Sequence, residues 1–472
     1  MGAHAQSTGE PDGEPDAVAP PATVPREPAY CAARSSLAPT VTYVQTDVIE
    51  VRAWGRTVGA VTLDPSSGYY AFEYADAWRR SGIELSPLRL PNRAGVFVFP
   101  ELAERTYSRL PAMLADSLPD RFGNALVTAK LVEEGIGSDS ITPLDRLAYA
   151  SDRAMGALEY APPLESRGEH STAIQLADLV VAARSTLRGN FTGDDTTLAA
   201  IAELIQVGTS AGGARAKAVI CFNPVTGQVR SGQLAAPEGF EYWLIKLDGV
   251  DDLDRVDPSR GFGRVELAYS QMASAAGVTM SACRLLEENG RAHFMTRRFD
   301  RRANGAKSHL QSLCAMDHLD FNVPDTHSYA QYFDVIDRLG LGRDALEQAF
   351  RRCAFNVMAV NRDDHTKNVD FVCDASGDWS LAPAFDVIHS HNPQGAWSQR
   401  HQMSVNGKFE GIGRSDLLMV AERFKVPAAT SVLGEVGAAV NRWPEFADEC
   451  GVDEAHVIRI ARDLEFFALS GD

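Results

Sequence analysis

Apolar positions follow two rhythms along this chain, and the change from one to the other divides it. Between residues 41 and 64 short β-prone runs, Val48-Ile-Glu-Val-Arg-Ala-Trp54 and Val58-Gly-Ala-Val-Thr-Leu63, flank Gly55-Arg56, which predicts a hairpin. Residues 69–74 extend it into a small sheet. The run Leu114-Ala-Asp-Ser-Leu-Pro-Asp-Arg-Phe-Gly-Asn124 leads into a helix through residue 132, and Thr142 with Pro143 opens another as N-cap and first turn. Residues 155–160 close this first α+β region. Helices are then expected over 174–184 and 197–206, apolar strands over 218–222 and 242–247, a helix over 265–276 stopped by Gly277, and a strand over 291–300. Beyond residue 310 the apolar spacing becomes three and four, predicting helices over 329–339, 343–360, 414–424 and 454–469.

Composition changes this picture mainly at the start. Residues 1–40 are rich in Pro, Gly, Ala, Glu and Asp and almost without large apolar side chains, so they cannot bury enough surface to offset ordering entropy and are expected to be a disordered tail. The remainder of the 472 residues is long enough for two or three cores, and 45% hydrophobic with 23% charged content is that of a globular protein. No apolar run reaches spanning length and no apolar stretch follows a basic start, so neither a membrane nor a secretory route is expected and the cytoplasm is the default. A formal charge of −18 opposes direct attraction to nucleic acid, so any association with DNA is expected through a partner. Seven scattered cysteines, none in Cys-x-x-Cys spacing, argue against a disulfide framework or a zinc site. His389 and His391, one residue apart, lack further spaced ligands and by themselves predict no metal centre.

Chemistry concentrates at Asn361-Arg-Asp-Asp-His-Thr-Lys-Asn368, where the apolar helix before it must stop. An apolar run follows, then the turn Asp374-Ala-Ser-Gly-Asp378, then a second run, which together predict a hairpin that returns Asp386 towards Asn368. Phosphoryl transfer needs metal ions to neutralise phosphate charge and a carboxylate for the nucleophile's proton; protein kinases supply an Asp, an Asn five positions on, and a second Asp beyond a short hairpin. Asp363, Asn368 and Asp386 have that order and spacing. The simpler alternative is a polar capping loop in which Asp and Asn serve turns and His365 is an ordinary hydrogen-bonding histidine.

Two upstream features bear on the choice. In Val207-Gly-Thr-Ser-Ala-Gly-Gly-Ala-Arg-Ala-Lys-Ala-Val219, glycines 208, 212 and 213 would let backbone amides approach phosphate oxygens, though the spacing is not that of a Walker A loop and a glycine-rich hairpin turn is the bland reading. Lys246 interrupts an apolar strand, where burial is costly unless a carboxylate or phosphate meets it; the alternative is a snorkelling lysine on an edge strand. Glu266 could pair with it, as a helix glutamate does in kinases, or be a first-turn glutamate favoured by the helix dipole; the second is the simpler.

With those residues assembled, the chain resembles the HipA family, bacterial serine/threonine kinases of toxin-antitoxin modules, over residues 45–460. The likeness is strongest at Asn361-x-Asp-Asp-His-x-Lys-Asn368, Leu381-Ala-Pro-Ala-Phe-Asp386 and Arg298-Phe-Asp-Arg301, with Leu114-Ala-Asp-Ser-Leu-Pro-Asp120 resembling part of the family's N-terminal domain. It implies an α+β fold: a β-rich N-terminal domain over 41–162, a kinase N-lobe over 173–308 and a helical C-lobe over 309–472. It implies Asp363 as catalytic base, Asn368 and Asp386 as magnesium ligands, and Lys246, Gly212, Gly213, Ser210, Lys217 and Lys367 around ATP. Ser210, or Thr209 beside it, resembles the loop residue that the family autophosphorylates; a phosphate there would add roughly two negative charges to the loop. His365 is expected to hold Asp363 by hydrogen bonds. The resemblance further implies a protein acceptor, aminoacyl-tRNA synthetases among them, and a helix-turn-helix antitoxin partner. Two other functions remain open at this point: a catalytically weak binding module sequestered by such a partner, and a small-molecule phosphotransferase with the same Asp-x-x-x-x-Asn arrangement.

Overall fold

The expected hairpin forms between strands Val48–Ala53 and Arg56–Asp64, turned through Trp54 and Gly55, both with left-handed backbone (φ +51° and +72°). Such a two-residue turn matches the twist of its flanking strands, which is why glycine stands at its second position. Tyr69–Tyr74, Val96–Phe97 and Leu158–Ala161 complete a five-stranded antiparallel sheet, with Leu158–Ala161 against the first strand. Alternation along Val48–Ala53 buries Ile49, Val51 and Ala53, and this face packs on Trp78, Leu114, Leu118 and Leu147. The helix Pro143–Ala150 carries the expected cap: Thr142 Oγ1 accepts from the Asp145 amide (3.2 Å) and the Asp145 carboxylate accepts from the Thr142 amide (2.8 Å).

The computed structural model describes residues 46–133, 136–164, 216–232, 235–250, 261–302, 304–395 and 397–469, all within one compact unit, Gln45–Asp472. The expected tail, the helices over 174–184 and 197–206, and the glycine-rich loop with Thr209, Ser210, Gly212 and Gly213 lie outside the described residues.

A second five-stranded sheet is built in the order Val229–Ser231, Lys217–Phe222, Glu241–Lys246, Arg291–Arg297, Cys283–Glu288, every neighbouring pair antiparallel. The helix Phe262–Ala275 lies on this sheet at Gly263, so close that a Cβ there would stand 2.0 Å from the Ala292 carbonyl oxygen. Its other face joins the main core with Phe350, Phe355, Val436 and Trp443. The rest is mostly helical: Tyr329–Arg338, Gly342–Met358, Arg414–Arg423, Ala429–Val440, Trp443–Glu449 and Glu454–Leu469. A three-stranded sheet of His309–Ser312, Asp370–Cys373 and Trp379–Leu381 contains the hairpin expected between Asn368 and Asp386. The fold is thus α+β, with a β-rich first part and a helical last part.

Side chains from the first sheet's layer grip the middle of the chain. Asp116 accepts from both the amide and the hydroxyl of Ser312 (2.6 and 2.8 Å), Gln311 donates to the Ser86 hydroxyl (2.8 Å), and Trp379 Nε1 donates to the Glu84 carbonyl (3.0 Å). Among the described residues Cys221, Cys283, Cys314, Cys353, Cys373 and Cys450 are free thiols, mostly buried. No described helix is long and apolar enough to cross a membrane.

Candidate active site

Helix Gly342–Met358 buries Phe350, Cys353, Ala354 and Val357 and ends where the polar stretch begins. Val360 takes a left-handed backbone (φ +53°), a costly conformation for a β-branched residue, and the chain then bridges to Ser390: Arg362 donates to the Ser390 carbonyl (3.2 Å), and Ser390 to that of Val360 (3.1 Å). Loop 361–368 is therefore fixed at its root by the segment that follows Asp386.

The two adjacent aspartates point to different surroundings. Asp364 is buried and saturated, accepting from Tyr329 Oη (2.8 Å), from the Gln402 amide (2.7 Å) and, at 2.9 Å, facing His401 Nδ1. Asn356 joins this network through Tyr329 Oη (2.9 Å) and Asn361 (3.0 Å). Asp363 is instead 49% exposed at its side chain, and His365 Nε2 lies 3.9 Å from its carboxylate. That distance is too long for a hydrogen bond, so the expected His365 scaffold role is corrected. The ring packs on Phe321 at 5.3 Å between centroids, and its Nδ1 is buried without a hydrogen-bond partner. The loop is held internally by Asn368, whose Nδ2 donates to the Asp363 carbonyl (2.8 Å). With Nδ2 so committed, Oδ1 is the amide atom left for a hard cation.

Asp386 follows the hairpin, also with left-handed backbone (φ +52°), and contacts Lys246. Lys246 also contacts Glu266, so the kinase-like pair forms and the first-turn role considered for that glutamate is set aside. Nor is Lys246 on an edge: its strand is central in the sheet, and its direct cross-strand neighbour is Lys217. Two buried lysines opposite one another repel unless anions lie between them. Asp386 supplies an anion against Lys246: burial pushes its carboxyl up, but the ammonium groups of Lys246 and Lys217 outweigh that and hold it well below the usual carboxylate range. His365, Asn368 and Asp386 line one cavity with Asn361, Asp364 and Phe385. Lys367, next to Asn368 in the chain, holds its Nζ 5.5 Å over the Phe321 ring.

Asp120 carries no role in the sequence reading. One oxygen accepts from the Gly123 amide (2.7 Å), capping the helix Arg121–Glu133, while the other is buried without a hydrogen-bond partner. Burial raises its carboxyl to about 7 against the opposing pull of the Lys217 and Lys367 ammonium groups. The motif Arg298-Phe-Asp-Arg301 proves to be an anchor: Arg298 grips Asp300 with two bonds (2.9 and 2.6 Å), Arg301 adds a third (2.7 Å), and Asp300 accepts from the Gly156 amide (2.8 Å).

Family models match two stretches: the HipA-like C-terminal domain over residues 209–467 and the HipA N-terminal domain over residues 49–161. Among solved structures, HipA of Shewanella oneidensis MR-1, determined in complex with HipB and its operator DNA, is similar at a TM-score of 0.61 and 14% identity, over 89% of this chain and 96% of that one. At that identity the likeness establishes the fold. The Helicobacter pylori proinflammatory kinase CtkA is similar over 47% of this chain and 92% of its own at 11% identity, with a TM-score of 0.30, too slight to carry an inference. No curated protein sequence matches. Since the C-terminal match alone spans more than half of the chain and the N-terminal match adds the first sheet and its helices, this protein belongs to the HipA family.

Proposed function

We propose that the protein is an ATP- and magnesium-dependent protein serine/threonine kinase acting as a toxin-type growth regulator in the cytoplasm. One observation carries the reading: Lys246, central in its sheet, is shared between Glu266 and Asp386, while Asn368 lines the same cavity as Asp386. A structural capping loop would need neither a buried lysine pair nor an ionised aspartate in contact with one of them. The donor set of one carboxylate and one amide oxygen suits a hard, oxygen-preferring cation.

In this reading Asn368 and Asp386 hold magnesium, which when bound would supply positive charge against the phosphate oxygens. Lys246 and Lys217 take the phosphates of ATP, with Gly212, Gly213 and Lys367 assigned to the same nucleotide. Asp363, half-exposed, orients the acceptor hydroxyl and takes its proton as the oxygen attacks the terminal phosphorus and ADP leaves. Residues 173–308 and 309–472 are assigned as the two lobes. Self-labelling is assigned to Ser210 or Thr209. The acceptor is a protein serine or threonine, and a HipB-type DNA-binding antitoxin is the partner, since the similar Shewanella protein was solved with one and a charge of −18 disfavours direct DNA contact.

The test is incubation with γ-labelled ATP and Mg2+ in a bacterial lysate. Wild type is expected to label itself or a lysate protein, and Asp363→Ala and Asp386→Ala to lose at least about a hundredfold of that rate. Equal labelling by the two variants, or none by wild type, overturns the proposal.

A further inference from the structure

Outside the candidate active site, three side chains from two distant parts of the chain converge. His389 and His391 lie just beyond Asp386, and Asp463 projects from the last helix, Glu454–Leu469. His389 Nε2 stands 2.8 Å and His391 Nδ1 3.1 Å from the same carboxylate oxygen, Asp463 Oδ2, and the ligand atoms of all three residues lie within 4.8 Å of one another. In a tetrahedral site with metal–ligand bonds of about 2.0–2.1 Å, neighbouring ligand atoms are about 3.3 Å apart, close to both separations.

A hydrogen-bonded clamp would require both rings to present an N–H to one oxygen. The opposite tautomers, with lone pairs on His389 Nε2 and His391 Nδ1, make two neutral imidazoles and a carboxylate around a common point, the set that imidazole-preferring divalent ions select. The His389 side chain is almost wholly buried against Tyr269, whereas His391 and Asp463 are 19% and 28% exposed, so the cluster opens to water on one side. Arg459 and Arg362 lie within electrostatic range and would compete with a cation, which favours moderate rather than extreme affinity.

We propose that His389, His391 and Asp463 bind a transition-series divalent cation, Zn2+ foremost, that fastens the last helix to the backbone that follows Asp386 and pairs with the root of loop 361–368. The placement gives the ion a structural task. Ser390, between the two histidines, is the residue whose backbone bridges to Val360 and Arg362, so a fixed 389–391 segment also fixes the root of loop 361–368. The inference does not rest on phosphotransfer.

The experiment uses untagged, chelator-treated full-length protein in millimolar Mg2+, titrated with Co2+ by visible absorption and with Zn2+ by calorimetry and thermal melting. Wild type and Asp386→Ala are expected to bind one equivalent, with a Co2+ d–d band and a Zn2+-dependent rise in Tm. Asp463→Asn and His391→Ala are expected to bind at least tenfold more weakly and to lose that rise. His391 is partly exposed, so its truncation keeps the comparison available if Asp463→Asn does not fold. Absence of binding by wild type, undiminished binding by His391→Ala, or loss in Asp386→Ala alone overturns the proposal.

Discussion

Asp363 and Asp364 are neighbours with opposite surroundings, and on the proposed reading they separate chemistry from folding. Asp364→Ala leaves Tyr329 Oη, the Gln402 amide and His401 without their buried acceptor and is expected to cost about 3–5 kcal/mol, read as a lowered denaturation midpoint. Asp363→Ala removes a half-exposed side chain and is expected to leave that midpoint within about 0.5 kcal/mol of wild type while abolishing transfer. Asp120 gives a pH prediction. Its carboxyl titrates near 7 in the folded protein and near 4 when unfolded, so between those values the native state binds more protons and stability falls as pH rises. Asp120→Asn is expected to remove this slope, its gain growing from pH 5 to pH 8 in urea melts towards an upper limit on the order of 4 kcal/mol; an unchanged slope would refute the assignment. The return of Asp386 to the cavity that Asn368 lines was legible because a local turn signal, Asp374 to Asp378, predicts the hairpin between them. Which of the paired aspartates is buried was not, since that depends on Tyr329 and His401, 35 and 37 residues away.

At the scale of elements, the helix Phe262–Ala275 decides whether Glu266 reaches Lys246. Gly263→Ala would drive a methyl group against the Ala292 carbonyl and displace the helix from its sheet. The expected result is a loss of about 1–3 kcal/mol in stability together with weaker ATP binding, whereas a surface change such as Ser274→Ala should do neither. The hairpins were legible from short alternating runs around Gly55 and Gly377, because turn residues act locally. Lys246 could not be assigned to an edge or a centre from its own strand, because the flanking strands Lys217–Phe222 and Arg291–Arg297 are far away in sequence. The helices Ala429–Val440 and Trp443–Glu449 were missed; the first has Gly434 and Gly437 inside it and no side-chain cap, so neither propensity nor capping announces it.

In the whole molecule, the N-terminal layer is fastened where Asp300 meets Arg298, Arg301 and the Gly156 amide. Burial pushes the Asp300 carboxyl up, but the two guanidinium groups outweigh it and hold it well below its usual range. The stability this contributes is present above the unfolded carboxyl's value near 4 and is lost as pH falls through the folded one. Asp300→Asn is expected to destabilise at neutral pH by about 3–5 kcal/mol and to loosen amide-exchange protection at Gly156. Contacts of this kind join residues more than a hundred positions apart, so a reading built on local periodicity could quote the Arg298-Phe-Asp-Arg301 motif without finding its task. The division of labour at the candidate active site is tested most directly by measuring Mg2+-dependent ATP affinity and single-turnover phosphate transfer on Asp363→Ala and Asp386→Ala side by side. Asp363→Ala should bind Mg2+-ATP as wild type does and fail to transfer, and Asp386→Ala should lose the Mg2+-dependent part of binding itself. Wild-type nucleotide affinity in Asp386→Ala, or continued transfer by Asp363→Ala, would contradict the assignment.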